Sequence, residues 1–198
     1  MEWQRQPNEA YSEAMDGPLV KPYITYEDLG RMPPDGNRYE VFDGEVYVMP
    51  SPTVRHQRLV RRFARLFEDA GPEGSEVLLA PLDVVLAEAT AAQPDVILVL
   101  ESNREVLCDV IRGAPDLVVE VLSPGTAHRD RGLKMEAYAR HGISEYWIAD
   151  PEETAIEIYR LDREARAYRL VETCREGGVA TTPLVPGLKV DVTALFRY

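Results

Sequence analysis

Short apolar runs separated by polar breaks dominate the chain, and their spacing changes character several times. Thr25-Tyr26-Glu27-Asp28 predicts a short helix with Thr25 as its N-cap, ended by Pro33-Pro34-Asp35-Gly36. Two β-rich runs, RYEVF and EVYVM, flank Asp43-Gly44, and that pair in that setting predicts a hairpin. After Pro50-Ser51-Pro52-Thr53 the period becomes helical over 54–70. Leu59, Val60, Phe63, Leu66 and Phe67 fall on one side; Arg55, Arg58, Arg61, Arg62 and Arg65 fall on the other. Strands are predicted at 77–87, 95–100 and 117–122. Pro81 makes part of the first a bulge or an edge. The other two are almost wholly apolar, as in strands covered on both faces.

A second helix, about 130–141, stops at Gly142 and is followed by a strand at 145–149. Residues 155–161 and 167–173 form a hairpin across Asp162-Arg163-Glu164, and a short strand near 188–192 closes the chain. The order helix, three strands, helix, strand predicts an α/β sandwich on one mixed sheet. Residues 1–22 read as a loose polar leader and 23–198 as a single domain.

The length of 198 residues, 45% apolar, suits one core and is short for two domains of typical size. A formal charge of −12 argues against coating nucleic acid through bulk charge, but leaves room for a local basic surface. Two cysteines, Cys108 and Cys174, exclude a disulfide scaffold and point to reduced thiols in the cytoplasm. No Cys/His spacing suggests structural zinc. No apolar run is long enough for a membrane span. Three lysines against nineteen arginines make each lysine conspicuous.

Chemistry is suggested where charge interrupts apolar sequence. Asp95 follows Pro94 and opens the strand VILVL; Glu120 lies inside LVVEVL. A carboxylate left ionised and unpaired on a covered face costs roughly several kcal/mol. Such groups need a cation, a cluster of donors or a shifted pKa. Asp95 and Glu120, at matching ends of neighbouring strands, could share a hard divalent ion, Mg²⁺ or Mn²⁺. The alternative is a buried glutamate paired with an arginine. On the second helix Lys134 lies about 100° from Leu133, on the side of Ala137, Tyr138 and His141 rather than that of Glu136 and Arg140. An inward lysine needs a carboxylate, and Glu120 is the obvious one; a lysine snorkelling at the face edge is the competing picture. Glu40 alternates with Tyr39 and Val41, so it is either a third carboxylate or an exposed strand residue.

The histidines say less. His56 opens the Arg-rich helix and could touch phosphate or a water on the metal, or be an ordinary first-turn residue. His141 fits a helix C-terminus. His128 sits with Arg129 and Arg131 in SPGTAHRD, a basic loop that lacks the P-loop pattern.

The segments RYEVFDGEVYVMPSPTVRHQRL, QPDVILV and APDLVVEVLSPGTAHRDRGLKMEAYARHGISEYWIADP together resemble the Uma-type putative restriction endonuclease family of the PD-(D/E)xK nuclease superfamily. The resemblance runs from about Tyr26 to Leu161. It implies a restriction-endonuclease-like core, a mixed central β-sheet flanked by helices, here with hairpins at both ends. It implies Asp95 at the PD aspartate, Glu120 at the (D/E) position and Glu40 at an acidic position on the early hairpin. The superfamily lysine two residues after Glu120 is replaced by Leu122, and Lys134 matches the place from which the following helix can supply it.

The implied activity is Mg²⁺- or Mn²⁺-assisted hydrolysis of DNA phosphodiesters. Asp95, Glu120 and Glu40 would hold the metal, and Lys134 would orient water or stabilise transition-state charge. Arg55, Arg58, Arg62, Arg129, Arg131 and His56 would position phosphate. A homodimer is expected, since symmetric pairs are common and cleavage of two strands benefits from one; Tyr159 and Tyr168 could pack on a second copy. The competing function is a nuclease-fold binding or assembly module with weak or no activity, which the acidic charge favours.

Overall fold

The computed structural model describes residues 22–32 and 35–197; of the expected leader, 1–22, all but Pro22 lies outside them, as do Pro33 and Pro34. Thr25 caps α1 (Tyr26–Leu29) through a reciprocal capping box with Asp28. The Asp43-Gly44 hairpin joins β1 (Arg38–Phe42) to β2 (Glu45–Met49), with Glu40 opposite Tyr47. Asp43 and Gly44 both have positive φ, 49° and 82°, which a tight hairpin turn requires. Helix α2 (Val54–Ala70) follows, N-capped by Thr53, and buries Leu59, Val60, Phe63, Ala64 and Phe67. Of its arginine face Arg58, Arg61 and Arg65 are exposed, while Arg55 and Arg62 are half-buried.

The expected strand 77–87 is two strands. β3 (Glu76–Leu79) and β4 (Val84–Ala87) stand on either side of Pro81 and belong to different sheets. Pro81 has no N–H for a ladder, so the chain leaves one sheet there and enters another. A strand that the pattern did not announce, β5 (Thr90–Ala92), pairs with both β1 and β4. Then come β6 (Val96–Val99), a 3-10 segment (Glu101–Val106), β7 (Ile111–Arg112) and β8 (Leu117–Val121).

The second long helix is composite and begins earlier than expected. It consists of α3 (Ala127–Arg129), a π-helical turn (Asp130–Lys134) and α4 (Met135–His141), ended by Gly142 at φ 96°. β9 (Glu145–Asp150) follows, and β10 (Ala155–Asp162) and β11 (Ala167–Cys174) form the expected hairpin. β12 (Val179–Ala180) pairs with β13 (Val190–Asp191), and a helix that the pattern did not announce, α5 (Val192–Phe196), ends the described chain.

Two main sheets result, rather than one. The central one has the order β11-β10-β9-β8-β6-β3 and is mixed: β8 and β9 run parallel and its other pairs are antiparallel. The other has the order β2-β1-β5-β4-β7. Strand alternation divides the core. Val96, Leu98, Leu117, Val119 and Trp147 pack with Leu59, Phe63 and Phe67 of α2. Ile97, Val99, Val118, Tyr146 and Ile148 pack on the opposite side with Ala137 and Tyr138 of α4 and with Phe42, Val84 and Ala92 of the second sheet. Glu120 shares Val118's side, so it points to where the two sheets and α4 meet.

Candidate active site

Four elements converge there. Glu40 comes from β1, Asp95 from the residue before β6, Glu120 from β8 and Lys134 from the π-helical turn. Glu40, Glu120 and Lys134 are 1%, 3% and 2% exposed. Lys134 Nζ lies 3.0 Å from Glu120 Oε1 and 3.6 Å from Glu40 Oε1. Lys134 is therefore an inward lysine, and Glu40 a buried carboxylate rather than an exposed strand residue. Leu122, at the place of the superfamily lysine, is a buried core side chain.

Each carboxylate that sequence reasoning singled out is held by the protein through one oxygen. Glu40 Oε1 accepts from the backbone N–H of Gln93 at 2.7 Å, while buried Oε2 has no partner among the described residues. Asp95 Oδ2 accepts from the backbone N–H of Val121 at 2.8 Å and lies 3.1 Å from His56 Nε2. Glu120 Oε1 accepts from Lys134 and, at 2.8 Å, from the Tyr138 hydroxyl. A cavity with about 60 Å³ of water-accessible space lies among these groups, lined also by Arg38, Asp130 and the segment 49–53. That volume admits a small ion with water.

Burial pushes the Glu120 carboxyl well above its ordinary range, an effect that the Lys134 charge partly offsets. Burial alone works against charge on Lys134, but Glu120, Glu40, Asp130 and Asp95 outweigh it and hold its pKa well above the usual value. Around this one ammonium stand four carboxylates, an excess of negative charge that favours a hard cation.

Asp130 is the member that sequence reasoning missed. It is 3% exposed, its Oδ1 is 3.2 Å from Lys134 Nζ, and burial raises its pKa against the pull of that lysine. The available signal was its place four residues before Lys134, which sets two side chains on one helical face. Lying between Arg129 and Arg131, it read as part of a solvated charge run. Tyr138, four residues after Lys134, and Gln93 were missed as well.

The phosphate-positioning candidates divide differently. His56 lines the cavity. Arg55 reaches Glu152 and the Pro151 carbonyl; Arg62 donates to the Leu195 carbonyl. Arg129 donates to the Val48 carbonyl and lies over the Tyr47 ring at 5.3 Å. Arg131 bridges Asp150 and Glu157. Arg58 is exposed on α2 and makes no ion pair or hydrogen bond among the described residues. None of the five arginines lines the cavity; Arg38, which was not anticipated, does.

A helix-flanked mixed sheet with acidic residues at adjacent strand ends and a lysine from the next helix defines a restriction-endonuclease-like protein. The family model Uma2, putative restriction endonuclease, matches residues 26–193, and the chain belongs to that family. Its fold is similar to that of a putative nuclease of DUF820 from Anabaena variabilis, with a TM-score of 0.74 at 18% identity, over 87% of this chain and 97% of that one. In sequence it is 27% identical over 156 residues to the uncharacterized protein slr1290 of Synechocystis, across 76% of this chain and 78% of that protein.

The site residues fit a divalent metal by donor chemistry. The available atoms are carboxylate oxygens, and one of them, Glu40 Oε2, is buried without a partner among the described residues. Among the described residues no three side chains already stand as a ligand shell. The Lys134 ammonium lies among them instead.

Proposed function

We propose that this protein is a divalent-metal-dependent endonuclease that hydrolyses DNA phosphodiester bonds. The observation that carries the reading is the one-sided use of Glu40, Asp95 and Glu120, each leaving an oxygen without a protein donor beside one cavity. These three residues would hold Mg²⁺ or Mn²⁺, which when bound polarises the phosphoryl group and acidifies water. Lys134 holds a fixed positive charge beside Glu120, where it can stabilise charge developing on the phosphate. His56, fixed by Asp95, and Arg38 face the same cavity and would orient the phosphate. We extend the reading to a homodimer acting in the cytoplasm. Both cysteines are free, and no helix among the described residues is long and apolar enough to cross a membrane.

The test is cleavage of plasmid and of single-stranded DNA with Mg²⁺, Mn²⁺ or EDTA, beside Asp95→Ala and Lys134→Ala. Metal-dependent cleavage lost in both variants is the expected result. Activity that survives either substitution defeats the site assignment. Light scattering tests the dimer.

Two observations favour a second reading, a binding or assembly module. The net charge is −12, and four of the five arginines proposed for DNA already have protein partners. No cleavage of any substrate, together with no calorimetric signal for Mn²⁺, would select it.

A further inference from the structure

Lys134 occupies the place where a cation is wanted. Its ammonium touches Glu120 at 3.0 Å and Glu40 at 3.6 Å, two of the three carboxylates proposed to hold metal. It touches a third carboxylate, Asp130, at 3.2 Å. Asp130 is otherwise weakly committed: among the described residues its Oδ2 meets only the Thr126 hydroxyl, at 3.4 Å. The two residues share one turn of the same helix, so their proximity does not depend on the sheets.

We propose that Lys134 is the resident counter-ion of the metal-free site, and that Asp130 is a positioning residue that receives its ammonium when Glu120 and Glu40 turn to a divalent ion. This rests on the metal-nuclease reading and adds a competition to it. The physical basis is charge. Two cations cannot share Glu120 and Glu40 without repulsion, and a buried ammonium cannot be left unpaired. Asp130 removes that obstacle, because Lys134 can loosen from Glu120 while remaining paired.

The two partners then affect metal binding with opposite signs. Lys134→Met removes the competitor and should tighten Mn²⁺ binding by about fivefold or more, the weight of one unit charge at about 4 Å even with the screening of water. Asp130→Asn leaves Lys134 with only Glu120 and Glu40 as charged partners in contact and should weaken binding by a similar factor. Asp130→Glu should restore it. Isothermal calorimetry with Mn²⁺ and no nucleic acid reads all four proteins. Unchanged affinity in either variant, or shifts of the same sign, overturns the proposal. A crystal structure of the unmutated protein soaked in Mn²⁺ provides a check that needs no variant. Lys134 nearer Asp130 than Glu120 supports the proposal, and Lys134 still 3.0 Å from Glu120 beside a bound ion defeats it. Absence of Mn²⁺ binding in both the unmutated protein and Lys134→Met defeats the metal-nuclease reading itself, and this inference with it.

Discussion

Two buried glutamates on adjacent parallel strands meet opposite fates. Glu145, at the start of β9, is 2% exposed and uses both oxygens: Oε1 accepts from Trp147 Nε1 at 2.7 Å, and Oε2 from Arg160 Nε at 3.0 Å. Glu120, near the end of β8, is as deeply buried, yet both of its protein donors fall on Oε1 and a cavity lies beside it. A buried carboxylate is thus not in itself a sign of function. What separates the two is an oxygen left unused, and a place for something to meet it.

The comparison breaks most sharply at the cations. Lys134 is 2% exposed, so Lys134→Ala in EDTA should cost about 3–5 kcal/mol in urea denaturation, because carboxylates lose their buried partner. Arg160 is 40% exposed, so water can take its place at Glu145, and Arg160→Ala should cost less than Lys134→Ala. Next in size are the glutamates themselves. Glu120→Gln should lower DNA cleavage by about 10²-fold or more while the protein stays folded, since Lys134 keeps Asp130 and Glu40. Glu145→Ala should do the reverse. It leaves the Trp147 N–H without its acceptor, at about 1–3 kcal/mol, with cleavage per folded molecule retained. If Glu145→Ala abolished cleavage while leaving stability intact, the distinction would fail.

A smaller effect concerns pH. With its pKa raised by burial above the ordinary 4.5, Glu120 binds a proton more tightly in the folded protein than in the unfolded chain. Its contribution to stability is then complete below pH 4.5 and lost as pH rises through the raised folded value. Stability–pH curves in EDTA should therefore show the unmutated protein losing more on going above pH 4.5 than Glu120→Gln does. Equal slopes would mean that Glu120 is not perturbed. The smallest effect is on the surface. Arg58→Ala should reduce the salt dependence of DNA binding by about one contact, while Arg131→Ala, already engaged with Asp150 and Glu157, should leave it unchanged.

Much of this was legible in sequence because charge interrupting an apolar run is a strong signal. Asp95 before VILV, Glu120 within LVVEV and Lys134 on the apolar side of its helix line one cavity. Helix α2 and both hairpins were equally plain, since period and turn chemistry agreed. Four features were obscured. The transfer between sheets at Pro81 depends on tertiary pairing, and so does β5, whose Thr90-Ala91-Ala92 carries little strand preference. The π-helical turn depends on packing and has no periodic signature. Asp130 was hidden by the arginines on either side, although Tyr146 donates to its backbone carbonyl at 3.0 Å and holds the turn from inside.

The junction of two sheets also bears on how the site is assembled. Bringing Lys134 to Glu120 joins residues 14 apart in sequence, whereas seating Glu40 on the Gln93 N–H joins residues 53 apart. The shorter loop loses less chain entropy on closing, so the lysine and its glutamate can meet while β1 is still unplaced. On that ground the ammonium is expected to reach Glu120 before the second sheet brings Glu40, and pulse-labelled hydrogen exchange during refolding that protects β8 before β1 would bear this out. A chain stopped before that step would hold Lys134 among Glu120, Asp130 and Asp95 with Glu40 still out of place, so the pocket is finished by the union of the two sheets rather than by either alone.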